Sequence, residues 1–283
     1  MLFHFVLISP FDPWSSKLCT CPKKYSFSPY TGCSHRCVYC YITSYIPDAF
    51  HARVKKDVIR RLRKEVRREE LRASYISMAN SSDPYTPEEK KERVTRKALK
   101  IFKEREIPVL IVTKSDLVTR DIDIISSMKA SVSMSITYLD NEKMEKIEPN
   151  APSAEKRINA IQKLSESGIP CSVRLDPIIP GVNDKEIEKV VKEVAPYCSH
   201  VVSSTIKPRI DAIHRLNKLI PETMKKMHFE RIGNTYYLPL QKRKELLEKV
   251  RDACKQYNIS FATCREGFFL AKKTCDGSHL IHK

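Results

Sequence analysis

An α/β fold of parallel strands joined by helices is what this chain predicts, on three observations. Short apolar runs alternate with charged, amphipathic stretches of helical length along most of the sequence. Roughly five or six such βα units recur, enough for a full or partial barrel. The polar clusters come directly after the apolar runs, at the C-terminal strand ends where barrels keep their chemistry.

In chain order, residues 1–9 form an apolar run without the basic start or small-residue cleavage site of a leader. Pro10, Asp12, Pro13 and Trp14 interrupt it, so it reads as the N-terminal strand of a cytoplasmic protein. A second run enters Cys33. Strands are then predicted over 74–78, 108–113, 130–137, 171–177 and 201–206. Helical patterns lie over 50–71, 87–106, 121–128, 154–167 and 184–194. The polar segments beyond the strands are Ser81-Ser82-Asp83-Pro84-Tyr85, Thr113-Lys114-Ser115, Thr137, Asp176-Pro177-Ile178-Ile179-Pro180 and Thr205-Ile206-Lys207. Past about residue 210 the rhythm fades into a basic helical stretch (210–227), a short strand (235–240), a helix (241–257) and a cysteine-containing tail. The expected organisation is an N-terminal extension (1–25), a barrel (26–209) and a C-terminal α+β appendage (210–283).

Composition narrows the chemistry. The chain has 283 residues, 41% apolar and 30% charged, a globular composition. It has only six glycines (Gly32, Gly168, Gly181, Gly233, Gly267 and Gly277), none clustered. Gly-rich phosphate loops need clustered glycines to bring backbone N–H groups onto the ligand, so Walker, Rossmann and kinase-type loops are excluded. So are a G-x-S-x-G elbow and an H-E-x-x-H site. No apolar stretch approaches the roughly 20 residues of a membrane helix, so no membrane partner is expected. Ten cysteines in such a protein point to metal or redox chemistry before disulfides. Disulfides stay open for an intracellular thermophile, with which the Lys/Arg/Glu-rich composition is compatible.

The strongest chemical signal is Tyr30-Thr31-Gly32-Cys33-Ser34-His35-Arg36-Cys37-Val38-Tyr39-Cys40-Tyr41. Cys33, Cys37 and Cys40 would share one helical face, but Pro29 and Gly32 favour a turn there. His35, Arg36, Tyr39 and Tyr41 carry polar groups that a buried stripe would not want. Structural zinc usually takes a second pair of ligands. Three closely spaced thiolates fit a cubane cluster, holding three irons and leaving the fourth open.

C-x₃-C-x₂-C with an aromatic before the last cysteine resembles the signature of the radical S-adenosylmethionine (SAM) superfamily. The resemblance implies a partial (β/α)6 TIM-type barrel, a [4Fe–4S] cluster on Cys33, Cys37 and Cys40, and SAM chelated at the open iron. It also implies reductive cleavage of SAM to a 5′-deoxyadenosyl radical that abstracts hydrogen, and an electron donor such as a ferredoxin or flavodoxin. Over roughly 26–208 the runs 26–33, 82–85, 113–115, 148–152 and 176–180 resemble the spore photoproduct lyase-like branch, whose members are often labelled DNA repair photolyases. Carried over by motif, Ser82, Asp83, Lys114 and Ser135 would contact SAM and Tyr39 would lie by its adenine. Read without the resemblance, Ser82-Asp83-Pro84 is an ordinary helix cap and Lys114 a solvated lysine. One departure matters. The lyase places a hydrogen-donating cysteine three residues before that aspartate, where this chain has Asn80, and no cysteine lies between Cys40 and Cys171. Spore photoproduct repair itself is therefore not expected.

Further cysteines flank the barrel. Cys264 and Cys275-Asp276-Gly277-Ser278-His279 resemble a CDGSH iron–sulfur motif in which Glu266 replaces the middle cysteine. Cys264, Cys275 and His279, with Cys19 or Cys21 if the termini meet, form a candidate second iron–sulfur or zinc site. Buried or free thiols are the alternative. Cys171, Cys198 and Cys254 fall in regular elements and read as core.

Lys and Arg number 51 against 34 Asp and Glu, a net charge of +17. Ten of these cations, against four acids, lie between Arg53 and Arg72, a run that reads as a solvated helix face with Glu65 and Glu69 pairing at i,i+4. Lys207, Arg209, Arg215, Lys218, Lys225 and Lys226 make a second basic group. Such a protein attracts polyanions without the charge naming a target, so nucleic acid is a candidate partner beside a peptide or small anionic metabolite. Arg174, Asp176 and Lys207 are expected to face the same cavity, Arg174 among the SAM contacts. The rival reading is a basic, metal-stabilised nucleic-acid-binding protein without turnover.

Overall fold

The computed structural model describes residues 6–11, 18–72, 74–78, 81–268, 270 and 273–281. Asn80, residues 1–5 of the first apolar run, and Asp12, Pro13 and Trp14 lie outside the described residues. At the centre is an eight-stranded sheet whose strands neighbour one another in chain order. They are β1 (Ser9–Pro10), β2 (Tyr25–Phe27), β3 (Ile76–Met78), β4 (Val109–Thr113), β5 (Ala130–Ser135), β6 (Cys171–Ile178), β7 (His200–Thr205) and β8 (Ser260–Thr263). β1 is antiparallel to β2, and β2 through β8 are parallel. A sequential parallel sheet with unjoined first and last strands is a partial barrel, as the alternation of apolar runs and helical stretches predicts.

The strands carry a period-2 division of labour. On β4, Val109 and Ile111 join the main core, while Leu110 and Val112 face a cavity inside the barrel. On β6, Cys171, Val173 and Leu175 pack outward into the core, and Arg174 and Asp176 line the cavity. Alternation of this kind places one face of each strand against helices and the other against the barrel interior.

The principal helices are α1 (Val58–Glu65), α2 (Val94–Glu104), α3 (Ile122–Ile125), α4 (Glu142–Ile147), α5 (Ala154–Glu166), α6 (Ile187–Val194), α7 (Ile210–Leu219) and α8 (Leu240–Gln256). α2 buries Val94, Ala98, Leu99, Ile101 and Phe102, the stripe expected of a helix packed on a sheet. Asn141 opens α4 by accepting from Met144 N at 3.1 Å, and Ser153 opens α5 by accepting from Lys156 N at 3.4 Å.

Several elements are shorter than their periodicity suggests. The pattern over 87–106 breaks at Arg93, whose φ is 51°. There the buried Glu89 carboxylate turns to accept from Thr95 N at 2.9 Å, satisfying a free amide in the first turn of α2. The first part of the 50–71 pattern is not helical, because it closes on the cysteine loop: Ala49 O accepts from Cys33 N, and Thr31 pairs with Arg53 in a short antiparallel ladder.

The C-terminal part shares the barrel's sheet. α8 crosses from β7 to β8, so Ser260–Thr263, within the stretch read as an appendage, forms a seventh parallel strand. A four-residue strand after a long insertion gives little periodicity to read. The tail then runs across the N-terminal strand ends. Asp276 accepts from Tyr75 Oη at 2.7 Å and pairs with Lys24 at 2.6 Å, just ahead of β3 and β2. His279 lies edge-on to His200 at the start of β7, with ring centroids 4.8 Å apart.

Candidate active site

One cavity of 650 Å³ runs through the barrel, and every parallel strand or the loop after it contributes to its wall. At one end lie Cys33, Cys37 and Cys40, in a loop with no helical residue. This settles the helix-stripe alternative. Gly32 makes the loop's approach possible: its φ is +78°, and a Cβ there would stand 2.3 Å from His51 O. Arg36 also adopts a positive φ, 56°, turning the chain between the first two cysteines. From α7, Arg215 holds the far side of the loop, donating to Val38 O at 3.0 Å, Cys40 O at 3.1 Å and Thr43 Oγ1 at 2.8 Å. Arg215 is thus committed to the loop rather than to the basic surface group in which the sequence alone places it.

Burial pushes the Cys33 thiol up to about 12, and raises Cys37 and Cys40 as well, with Lys114 acting in the opposite direction on the latter two. Burial raises the core thiols Cys171, Cys198 and Cys254 in the same way, so it is the placement of the triplet, not this shift, that sets it apart. Three sulfurs facing one cavity, with Lys114 and Arg215 to offset negative charge, fit an iron–sulfur cluster.

Beside the triplet is a dense polar cluster. Asp83 accepts from Tyr85 N (2.9 Å), Thr113 Oγ1 (2.7 Å) and Lys114 N (2.8 Å), and its Oδ2 lies 3.4 Å from His35 Nε2. Burial opposes its charge, but His35, the Lys114 amide and Thr113 together keep its carboxyl below the usual range. Glu148 is buried against Arg157 at 2.6 Å and Lys114 at 3.3 Å, and accepts from Tyr39 Oη. Burial is again overcome, here by the two cations, and the Glu148 carboxyl is held at about 2. Ser82 and Ser135, each 7% exposed, line the cavity close to this cluster.

Further round the wall, Arg174 pairs with Asp176 at 2.9 Å, and Ser204 donates to the same carboxylate. Lys207 binds Glu266 at 2.8 Å, and Glu266 also accepts from Thr205 N at 2.8 Å and pairs with Arg243 at 3.2 Å. Glu266, read from sequence as a lost cysteine, is therefore a buried ion-pair hub. Arg174, Asp176 and Lys207 do line one cavity. Glu65 departs from the i,i+4 expectation: its carboxylate accepts from the Leu7 and Ile8 amides at 2.8 and 2.7 Å, docking the N-terminal segment.

Of the second cysteine group, Cys19, Cys21 and Cys264 line the cavity, and Cys275 Sγ is 3.4 Å from Cys21 Sγ. His279 stands outside the cavity lining, with Nδ1 2.8 Å from Thr274 Oγ1. Cys171 and Cys254 are buried, and Cys198 is half-buried against the core. Sequence reasoning overlooked Arg157 and Glu89 and gave Arg215 a surface role, because their partners are distant in the chain.

A partial barrel with three loop cysteines and convergent polar groups at its strand ends defines a cluster-dependent cofactor enzyme. The chain belongs to the radical SAM superfamily, whose profile matches residues 27–194. An uncharacterized protein of Methanocaldococcus jannaschii is 32% identical over 206 residues, covering 71% of this chain and 78% of that one. A spore photoproduct lyase mutant with bound AdoMet and dinucleoside spore photoproduct has a similar fold, with a TM-score of 0.66 and 17% identity, covering 92% of this chain and 79% of that one. A radical SAM methyltransferase from Sphaerobacter thermophilus matches at TM-score 0.57 and 13% identity, over 85% of this chain and 65% of that one. Superfamily membership makes this chain an enzyme using a [4Fe–4S] cluster and SAM and needing an electron donor, so the non-catalytic binding protein is set aside. No helix among the described residues is long and apolar enough to cross a membrane.

Proposed function

We propose that Cys33, Cys37 and Cys40 each hold one iron of the [4Fe–4S] cluster, and that SAM lies between this loop and the polar cluster beside it. When bound, the cluster supplies the electron that cleaves SAM to methionine and a 5′-deoxyadenosyl radical, which abstracts hydrogen from the substrate. The observation that carries the reading is that the triplet, Ser82, Asp83, Lys114 and Ser135 share one cavity.

The roles follow from the partners each group already has. Lys114, whose side chain is 14% exposed and whose Nζ is 3.3 Å from Glu148, offers its remaining donors to the SAM carboxylate. Ser82 and Ser135 offer hydroxyls to the ribose. Asp83 is surrounded by donors from its own chain, so it acts as a positioning residue that fixes the Lys114 backbone and His35. Glu148 orients Tyr39 beside the adenine. Arg174 and Asp176, held to each other across the wall, bound the space between SAM and the substrate.

The substrate we propose is nucleic acid. The net charge of +17 supports it, since it concentrates polyanions at the surface whatever their sequence. A ferredoxin or flavodoxin would deliver the electron. We place the protein in the cytoplasm, a location that its ten unpaired cysteines support.

The test is electron paramagnetic resonance on anaerobically reconstituted, dithionite-reduced protein, with and without SAM. A [4Fe–4S] signal that shifts with SAM, and 5′-deoxyadenosine that increases when tRNA or DNA is added, is the expected result. A signal indifferent to excess SAM overturns the SAM berth. Production of 5′-deoxyadenosine stimulated only by peptides or small anions overturns the nucleic-acid reading. Lys114→Ala should weaken SAM affinity while leaving iron content unchanged.

A further inference from the structure

We propose that Cys19, Cys21, Cys264 and Cys275 hold a second iron–sulfur cluster in the wall of the same cavity. These thiols come from three separate stretches of chain. Cys19 and Cys21 precede β2, Cys264 follows β8, and Cys275 belongs to the tail that crosses the N-terminal strand ends. The barrel's first and last parallel strands thus supply ligands that sequence spacing cannot unite.

The closest contact is between thiols of the two ends of the chain. Cys21 Sγ lies 3.4 Å from Cys275 Sγ, and none of the four is in a disulfide. Cys19, two residues from Cys21, and Cys264 line the same cavity. Two cations flank the set: the buried Lys24, with Nζ 3.5 Å from Cys21 Sγ, and the half-buried Arg174, which lines the same cavity as Cys264. Lys24 is itself fixed by Asp276 at 2.6 Å, on the same tail that carries Cys275.

Four thiols supply the ligand number of a [4Fe–4S] cluster. Among the described residues, no three His, Cys, Asp or Glu side chains converge as a single ion requires. The same holds for Cys33, Cys37 and Cys40, whose superfamily places a cubane there. A cluster binds each thiolate through a different iron and so accepts a wider set than zinc does. The ligands are four cysteines rather than three cysteines and His279, whose ring is engaged with His200 and Thr274.

The experiment measures iron, acid-labile sulfide and zinc in anaerobically purified, reconstituted full-length protein. Three forms are compared: the natural sequence, Cys33→Ala/Cys37→Ala/Cys40→Ala, and Cys21→Ser/Cys275→Ser. The natural protein should hold about eight irons and eight sulfides, and each variant about half. The first variant reports the second centre alone, with its own reduced paramagnetic signal, so failure of the SAM cluster and failure of this centre are told apart. If that variant does not fold, an unchanged iron content in Cys21→Ser/Cys275→Ser relative to the natural protein overturns the proposal. So do about four irons in the natural protein, stoichiometric zinc at this site, or a Cys21–Cys275 disulfide mapped in protein kept anaerobic throughout.

Discussion

Glu148 shows how a single residue ties stability to the site. It belongs to the 148–152 run quoted for the family resemblance, but its partners Tyr39, Lys114 and Arg157 come from three other parts of the chain. Arg157 is fully buried and also donates to Pro152 O and Ser135 O. Removing one partner of a buried ion pair leaves an uncompensated charge, so Arg157→Met should cost about 3–5 kcal/mol, read in denaturant unfolding, and should loosen Ser135. The pH dependence has a definite sign. The Glu148 carboxyl sits at about 2 in the folded protein against an ordinary 4.5. Its stabilisation is therefore complete above the ordinary value and is lost as pH falls from there toward 2. Acid unfolding should follow that window in the natural protein and begin at higher pH in Arg157→Met. A variant melting like the natural protein at every pH would overturn this account.

At the scale of elements, the cysteine loop is held by its neighbours more than by its own hydrogen bonds. Gly32 fits under His51 O only because it lacks a Cβ. Gly32→Ala should therefore destabilise the protein by roughly 1–3 kcal/mol and lower its iron content, since the carbonyl must move and the residue must keep a left-handed φ. Gly168→Ala is the control. Its φ is +72° with nothing within 4 Å of the added Cβ, so it carries the backbone penalty alone, about 1 kcal/mol, and full iron. Equal losses at the two positions would show that the His51 contact does not matter. Pro29 and Gly32 made the turn legible in the sequence. Arg215 was not, because its helix lies far along the chain and its basic neighbours suggested a surface role.

For the molecule as a whole, the net charge of +17 makes a prediction that individual residues do not. If about six phosphates are engaged, binding of tRNA or duplex DNA should fall with a log–log salt slope near −5, a loss of roughly 10³-fold between 50 and 200 mM salt. Binding that is insensitive to salt would remove charge as the basis for nucleic-acid attraction. Much of the cationic excess inside the barrel is already neutralised: Lys24 by Asp276, Lys114 by Glu148, Arg174 by Asp176 and Lys207 by Glu266. On the nucleic-acid reading, surface charge would gather the polyanion, and selection would fall to the shape and hydrogen bonding of the cavity.

The sequence alone determined the α/β class, the order of six barrel strands, the cysteine triplet of the 33–40 loop and the superfamily. Each is written in local patterns, either a periodicity or a close spacing of side chains. Only the tertiary structure decided that β8 extends the sheet, that the tail lies across the N-terminal strand ends, and that this tail brings Cys275 Sγ to 3.4 Å from Cys21 Sγ. It alone also decided which cations are spent on buried carboxylates. The reason is physical: these contacts join residues up to 254 positions apart, as Cys21 and Cys275 are. Their juxtaposition is set by how the parallel sheet curls and closes over its interior, a property no local window of the chain contains.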